Sequence, residues 1–176
     1  MPAPSKLAHV VWRTGRLDAM VDWYCSVLEA QVVFRNPFIA FTTYDDEHHR
    51  VAFVNAGTER RDDHRASGLE HVAFTYASLP DLLGTYQRLK AEGIAPYWCI
   101  NHGPTTSLYY EDPDGNHVEL QIDNFPTNDV LAEWFATGAF KANPIGVVFD
   151  PDALAARLAA ADPIEQLIQQ GSAPVA

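Results

Sequence analysis

The chain has 176 residues with a hydrophobic fraction of 47%, which suits one packed domain or two small modules intimately joined, and is short for two independent domains. Twelve Lys plus Arg against 23 Asp plus Glu leave a formal charge of -11, a surface that repels nucleic-acid phosphate and anionic lipid. The opening residues lack the apolar core of a signal peptide, and no stretch approaches the ~20 apolar residues of a membrane span, so a cytoplasmic protein with no nucleic-acid or membrane partner is expected.

His9-Val10-Val11-Trp12 opens a strand. Leu17, Met20, Val21, Tyr24 and Val27 then recur at spacings of three and four, which predicts an amphipathic helix over residues 16–30. Val32 to Phe34, Phe38 to Tyr44 and Arg50 to Val54 read as three strands. The polar stretch from Gly57 to Ser67 is a connection long enough to shape or cover a pocket.

The pattern then repeats at an offset of 62 positions. His71-Val72-Ala73-Phe74 matches the first strand, and Leu79, Leu82, Leu83, Tyr86 and Leu89 match the first helix. Ser78 with Asp81 marks the start of that second helix, over residues 79–92, and Gly93 its stop. Ile94 to Ile100, Ser107 to Glu111 and His117 to Ile122 complete a second βαβββ series.

The reading is an α+β fold of paired βαβββ modules, residues 7–60 and 69–125, within a single domain over 1–176. Residues 126–176 form a helical C-terminal extension. There Asp129 to Thr137, Asp150 to Ala160 and Asp162 to Gln170 predict short helices. Asp150-Pro151 and Asp162-Pro163 each place a capping residue before a proline suited to the first helical turn, and Gly171 is a stop. Trp134, Phe135 and Phe140 give this tail an apolar surface for the open side of a sheet or for a partner chain, and a homo-oligomer is compatible with it.

Each module presents a histidine at a corresponding strand entrance, His9 and His71, and Glu119 lies on the last strand of the second module. Two imidazoles and one carboxylate suit ferrous iron on one coordination face, with adjacent positions left for a substrate and dioxygen. Zinc, manganese, nickel or cobalt use overlapping ligands. Cys25 and Cys99 are too few for a disulfide framework and too far apart for a CxxC pair, and read as reduced, buried thiols. Trp98, Phe53 and Phe74 are candidate walls for an apolar pocket, although core packing is the ordinary role of such aromatics.

The run from Ile100 to Glu119, with His102, the hydrophobic-Tyr pair Leu108-Tyr109 and the turn Asp112-Pro113-Asp114-Gly115 before Glu119, resembles a signature of the vicinal-oxygen-chelate superfamily. More narrowly it is similar to the type I extradiol ring-cleavage dioxygenases, over residues 7–125. Asp46-Glu47-His48-His49 before the apolar strand Arg50 to Phe53 is a second point of resemblance. The spacer from His102 to Tyr109 is shorter than in the common two-domain relatives, and only one pair of modules is present. The resemblance is therefore to a compact one-domain branch, which Asn143-Pro144-Ile145-Gly146 through Pro151 also resembles.

That resemblance implies an Fe(II) enzyme, with Mn(II) as the alternative metal, that inserts both atoms of dioxygen into a catechol-type diol and gives a ring-opened semialdehyde or related acid. It implies His9, His71 and Glu119 as metal ligands, His49 as the acid-base residue, His102 as a substrate-orienting hydrogen-bond partner and Tyr109 as an assisting phenol. Two other readings share the scaffold. A glyoxalase-like isomerase or lyase wants another carboxylate from the first module, and Arg50 to Val54 has none. A small-ligand binding protein uses the same paired modules without metal, and has no need of the three ligands or of His49, His102 and Tyr109.

Overall fold

A computed structural model describes residues 3–57 and 67–175. The first module runs β1 (Val10–Thr14), α1 (Leu17–Leu28), β2 (Gln31–Arg35), β3 (Ile39–Thr43) and β4 (Val51–Asn55). The second runs β5 (His71–Thr75), α2 (Leu79–Ala91), β6 (Trp98–Asn101), β7 (Thr105–Glu111) and β8 (His117–Asp123). The paired βαβββ pattern is thus observed. The covering role expected of the 57–67 stretch falls on residues that, apart from its two ends, lie outside the described ones.

By its contacts the chain divides into two compact units, Met1–Leu69 with Asp112–Asn116, and Glu70–Glu111 with His117–Ala176. In the first, the sheet order is β1-β4-β3-β2, with β1 parallel to β4 and the other pairs antiparallel. Helix α1 buries Leu17, Met20, Val21, Tyr24 and Val27, the face that the spacing predicted. It packs on the strand positions Ala40, Val51 and Phe53, and each large side chain so buried contributes roughly 1.5–3 kcal/mol. Phe53 is fully buried here against the Tyr24 ring and so belongs to this core rather than to a pocket wall.

The second unit repeats the arrangement, β5-β8-β7-β6, with β5 parallel to β8. Ser78 caps α2 by accepting from the Asp81 amide, and Gly93, at a φ of +82°, follows the helix end. Leu79, Leu82, Leu83, Tyr86 and Leu89 pack against Leu108, Tyr110, Val118, Leu120 and Ile122.

Three expectations need correction. The strand expected from Ile94 begins only at Trp98, because the Ile94 amide is taken by the Leu89 carbonyl at the helix end and Pro96 has no N–H. The sheet has a fifth strand, β9 (Val147–Val148), antiparallel to β6, which two residues of apolar sequence do not announce. In the tail, α3 (Asn128–Ala136) and α5 (Pro151–Ala159) form as expected, with a short α4 (Ala139–Ala142) between them, but the last helix shrinks to α6 (Ile164–Leu167). Asp150 caps α5 through the Asp152 and Ala153 amides. Asp162 does not act alike: its carboxylate is held by Arg157 Nε at 2.6 Å, Pro163 stands at the cap, and Gly171 lies beyond the helix.

The tail is bound to its own unit. Asp152 accepts from Tyr86 Oη at 2.8 Å and pairs with Lys90, which fastens α5 to α2. Trp134 on α3 lies over Gly103, where a β-carbon would stand 2.7 Å from Trp134 Cζ2.

Candidate active site

Alternate residues of a strand share a face, so the register of the second sheet decides which side chains meet. Across β5, β8, β7 and β6 it lines up Ala73, Glu119, Tyr109 and Trp98 in one row, on the face opposite α2. Glu119 is only 4% exposed. A buried carboxylate needs partners, and it has two: His71 Nε2 at 3.1 Å from its Oε2, and the Tyr109 hydroxyl.

His71 is the first residue of β5 and half-buried, with its ring edge-on to that of Tyr109 at 5.4 Å. Burial first, and then the Glu119 charge and its hydrogen bond, hold the Tyr109 phenol well above the ordinary tyrosine range. Tyr109 therefore stays protonated and acts as a donor. Its oxygen is 3.1 Å from His102 Nε2, while His102 Nδ1 meets the backbone carbonyl of Ile145. Trp98 packs 4.9 Å from Tyr109 and edge-on to His102 at 5.7 Å. Four of the expected residues, His71, His102, Tyr109 and Glu119, are thus one connected polar group within one unit.

The other two expected residues come together in the first unit. His9 precedes β1 and is exposed; His49 lies two residues before β4, and the two rings are 4.4 Å apart. His49 stacks on Phe41 at 4.6 Å, and its Nδ1 is 2.6 Å from His48 Nδ1. Burial, followed by the neighbouring His9 and His48, lowers the His49 pKa, which favours a neutral imidazole near pH 7. Arg50 holds the segment leading to His9: it donates to the Leu7 carbonyl at 2.9 Å and to Ala8, and is itself clamped by Asp45.

Among the described residues no group of three or more His, Cys, Asp or Glu side chains gathers to hold a metal ion. The pair His71 and Glu119 is nonetheless suited to one in its donor chemistry, an imidazole nitrogen and a buried carboxylate oxygen directed at each other. Both cysteines are half-buried rather than buried as expected, and neither competes for the role of nucleophile, since burial raises the pKa of both thiols, that of Cys99 to about 12.

Sequence reasoning missed three contributors. The Ile145 carbonyl carries no side-chain signature, although Asn143-Pro144-Ile145-Gly146 stood out as a motif. Arg50 was read only as the start of a strand. Trp98 reads from sequence as a candidate wall or core residue, and only the sheet register puts it in the row of Glu119. No helix among the described residues is long and apolar enough to cross a membrane.

Residues 6–120 match the model of the Glyoxalase/Bleomycin resistance protein/Dioxygenase superfamily. The chain is 48% identical to biphenyl-2,3-diol 1,2-dioxygenase 2 of Rhodococcus globerulus, over 95% of its own length and 88% of the relative's. It is 44% identical to biphenyl-2,3-diol 1,2-dioxygenase 3 of the same organism, over 95% and 89%. A glyoxylase/bleomycin resistance protein/dioxygenase domain from Frankia sp. EAN1pec has the same fold, with a TM-score of 0.60, 21% identity, and coverage of 71% of this chain and 96% of that one.

Proposed function

The chain belongs to the Glyoxalase/Bleomycin resistance protein/Dioxygenase superfamily and, within it, to the type I extradiol ring-cleavage dioxygenases, and from that premise we propose that it opens the ring of a catechol-type diol with Fe(II) held by His9, His71 and Glu119. The observation that carries this reading is the polar group of the second unit, in which a buried carboxylate, an imidazole and a protonated phenol share one face of a sheet. A ferrous ion there would bind diol and dioxygen side by side and let electron density pass between them.

The protein's own groups then handle the protons. His102 Nε2 and Tyr109 Oη present adjacent hydrogen-bonding atoms to a substrate hydroxyl. Tyr109 retains its own proton, so it serves as a donor to developing negative charge on oxygen. His49 begins neutral, so its free imidazole nitrogen can take up a proton released by the substrate diol and return it to an oxygen that is retained in the product. Both oxygen atoms enter the product, and no nicotinamide is required. The relatives' names make an aryl-substituted diol the first substrate to try. Mn(II) is the alternative metal, and a cytoplasmic location belongs to the same proposal.

The glyoxalase-like alternative is disfavoured by one residue. The first-unit position equivalent to Glu119, opposite Val11 on β4, is Ala52. The test is anaerobic loading with Fe(II), followed by oxygen uptake and product analysis over simple and aryl-substituted catechols. One iron per chain, stoichiometric oxygen consumption and a ring-opened semialdehyde or acid are expected. Iron bound without oxygen consumption over the whole series would overturn the dioxygenase reading, and failure of His9, His71 and Glu119 variants to lose iron would overturn the ligand set.

A further inference from the structure

The loop before β9 has a chemical consequence for His102. A backbone carbonyl only accepts hydrogen bonds, so the contact between Ile145 O and His102 Nδ1 requires the proton on Nδ1. In the neutral ring Nε2 is then a bare acceptor, and it faces the Tyr109 hydroxyl at 3.1 Å. Tyr109 has one proton and two acceptors within reach, His102 Nε2 and Glu119. If the Glu119 oxygens are engaged elsewhere, that proton goes to His102.

The carbonyl that sets this arrangement is held with little freedom. Gly146 sits at a φ of +110°, and a β-carbon there would lie 2.7 Å from His102 Cα and 2.9 Å from the Asn101 carbonyl carbon. Both the conformation and the close approach demand glycine. The Asn143 side chain closes the loop from the other side, donating to the Gly146 carbonyl at 2.8 Å and accepting from the Gly146 amide at 3.0 Å. Pairing of Val147 and Val148 with Asn101 and Ile100 fixes the exit. Asn101 is anchored in turn, donating to the Ile168 carbonyl at 2.7 Å and accepting at its own carbonyl from Gln170 at 3.0 Å.

We propose that the Asn143–Gly146 loop is a positioning device that locks His102 in the Nδ1–H tautomer, so that Nε2 stands as a proton acceptor beside Tyr109. Asn143 and Gly146 are positioning residues, since they act only through His102. The effect on rate rests on the reading of His102 as a substrate-orienting residue; the tautomer itself does not.

The decisive measurement is a long-range proton-nitrogen correlation spectrum of the full, metal-free chain labelled with nitrogen-15 in histidine. His102 should show a protonated Nδ1 and an unprotonated Nε2. In Asn143→Ala and Gly146→Ala a substantial Nε2–H population should appear, and after iron loading kcat should fall about tenfold. Asn143→Asp, which retains the acceptor for the Gly146 amide, should recover part of both signals. Should Gly146→Ala fail to fold, the Asn143 pair alone decides the matter, with circular dichroism and melting temperature confirming an intact fold.

The proposal is overturned by a wild-type His102 in the Nε2–H form or by tautomers unchanged in folded variants; an altered tautomer with full activity refutes the substrate-orienting role of His102 and leaves the lock standing. A locked tautomer in a wild-type protein that cleaves no diol leaves the lock standing and refutes the dioxygenase reading instead. Ring cleavage by a protein with a mobile tautomer does the reverse.

Discussion

The two modules share a fold and an order of strands, yet the same row across their sheets carries opposite chemistry. In the second it reads Ala73, Glu119, Tyr109 and Trp98; in the first, Val11, Ala52, Phe41 and Phe34. A carboxylate and a phenol in one copy correspond to an alanine and a phenylalanine in the other. The first unit's contributions, His9 and His49, both lie outside its strands, one residue before β1 and two before β4. In the second copy Glu119 and Tyr109 stand within strands, where register and burial fix them, while His71 opens β5 and His102 lies just past β6, held by the Ile145 carbonyl. In the first copy His9 and His49 both stand before strands, where loops such as Asp45 to Arg50 do the fixing.

The strongest way to break this contrast is to make the second row resemble the first. Glu119→Gln removes the charge at constant shape. It should abolish iron retention and reduce kcat/KM by more than about a thousandfold, equivalent to about 4 kcal/mol in the barrier. Melting temperature should hold or rise, because the buried charge is gone. Iron content by mass and oxygen uptake check it.

The reverse exchange, Ala52→Glu, puts a carboxylate at a position 2% exposed and flanked by Val11 and Phe41. The isolated charge should cost about 3 kcal/mol of stability, visible as a lower urea midpoint. A urea midpoint equal to wild type would show that the apolar row is not what excludes acids from the first module.

Tyr109→Phe copies Phe41 into the second row. It removes the hydroxyl that stands 3.1 Å from His102 Nε2 and should lower kcat about 100-fold, with a smaller change in KM, as expected for a group that helps only as charge develops.

Much of this was legible before any coordinates. The repeat offset tied His9 to His71, and helix spacing identified the buried face of both helices, because burial on one side is what produces a period of three to four. What failed was set by backbone rather than by side chains. Ile94 looks like a strand residue by composition, but its amide is used to close α2. Asp162 has the sequence of a cap, but Arg157 reaches it first. His102 was identified and its partner was not, since an Ile145 carbonyl is encoded only by the path of the chain. The pairing of Tyr109 with Glu119 came from the register of β7 with β8, information that no single strand contains.

The hairpin connections extend the contrast at smaller energies. Asp45, on the β3–β4 connection, is exposed and holds Arg50, whereas Asp112, on the β7–β8 turn, is buried and grouped with the first unit. Asp112 accepts from the Asp114 and Asn116 amides at 2.9 and 2.8 Å, from Asn116 Nδ2 at 2.8 Å and from Tyr24 Oη at 3.1 Å. Asp112→Ala strands these donors and should cost about 2 kcal/mol by denaturant unfolding.

Titration sharpens the point. Burial raises the Asp112 pKa despite the hydrogen bonds that oppose it, so the folded chain binds this proton more tightly than the unfolded one. Its favourable share is full below the ordinary value of 3.8 and is lost as pH rises through the raised value. Asp112→Asn has no such proton to lose. The stability of wild type relative to this variant should therefore decline as pH climbs across that window and level off above it, in urea titrations run from pH 3 upward. A difference that instead grows in favour of wild type would mean that the hydrogen bonds, and not burial, dominate at this turn.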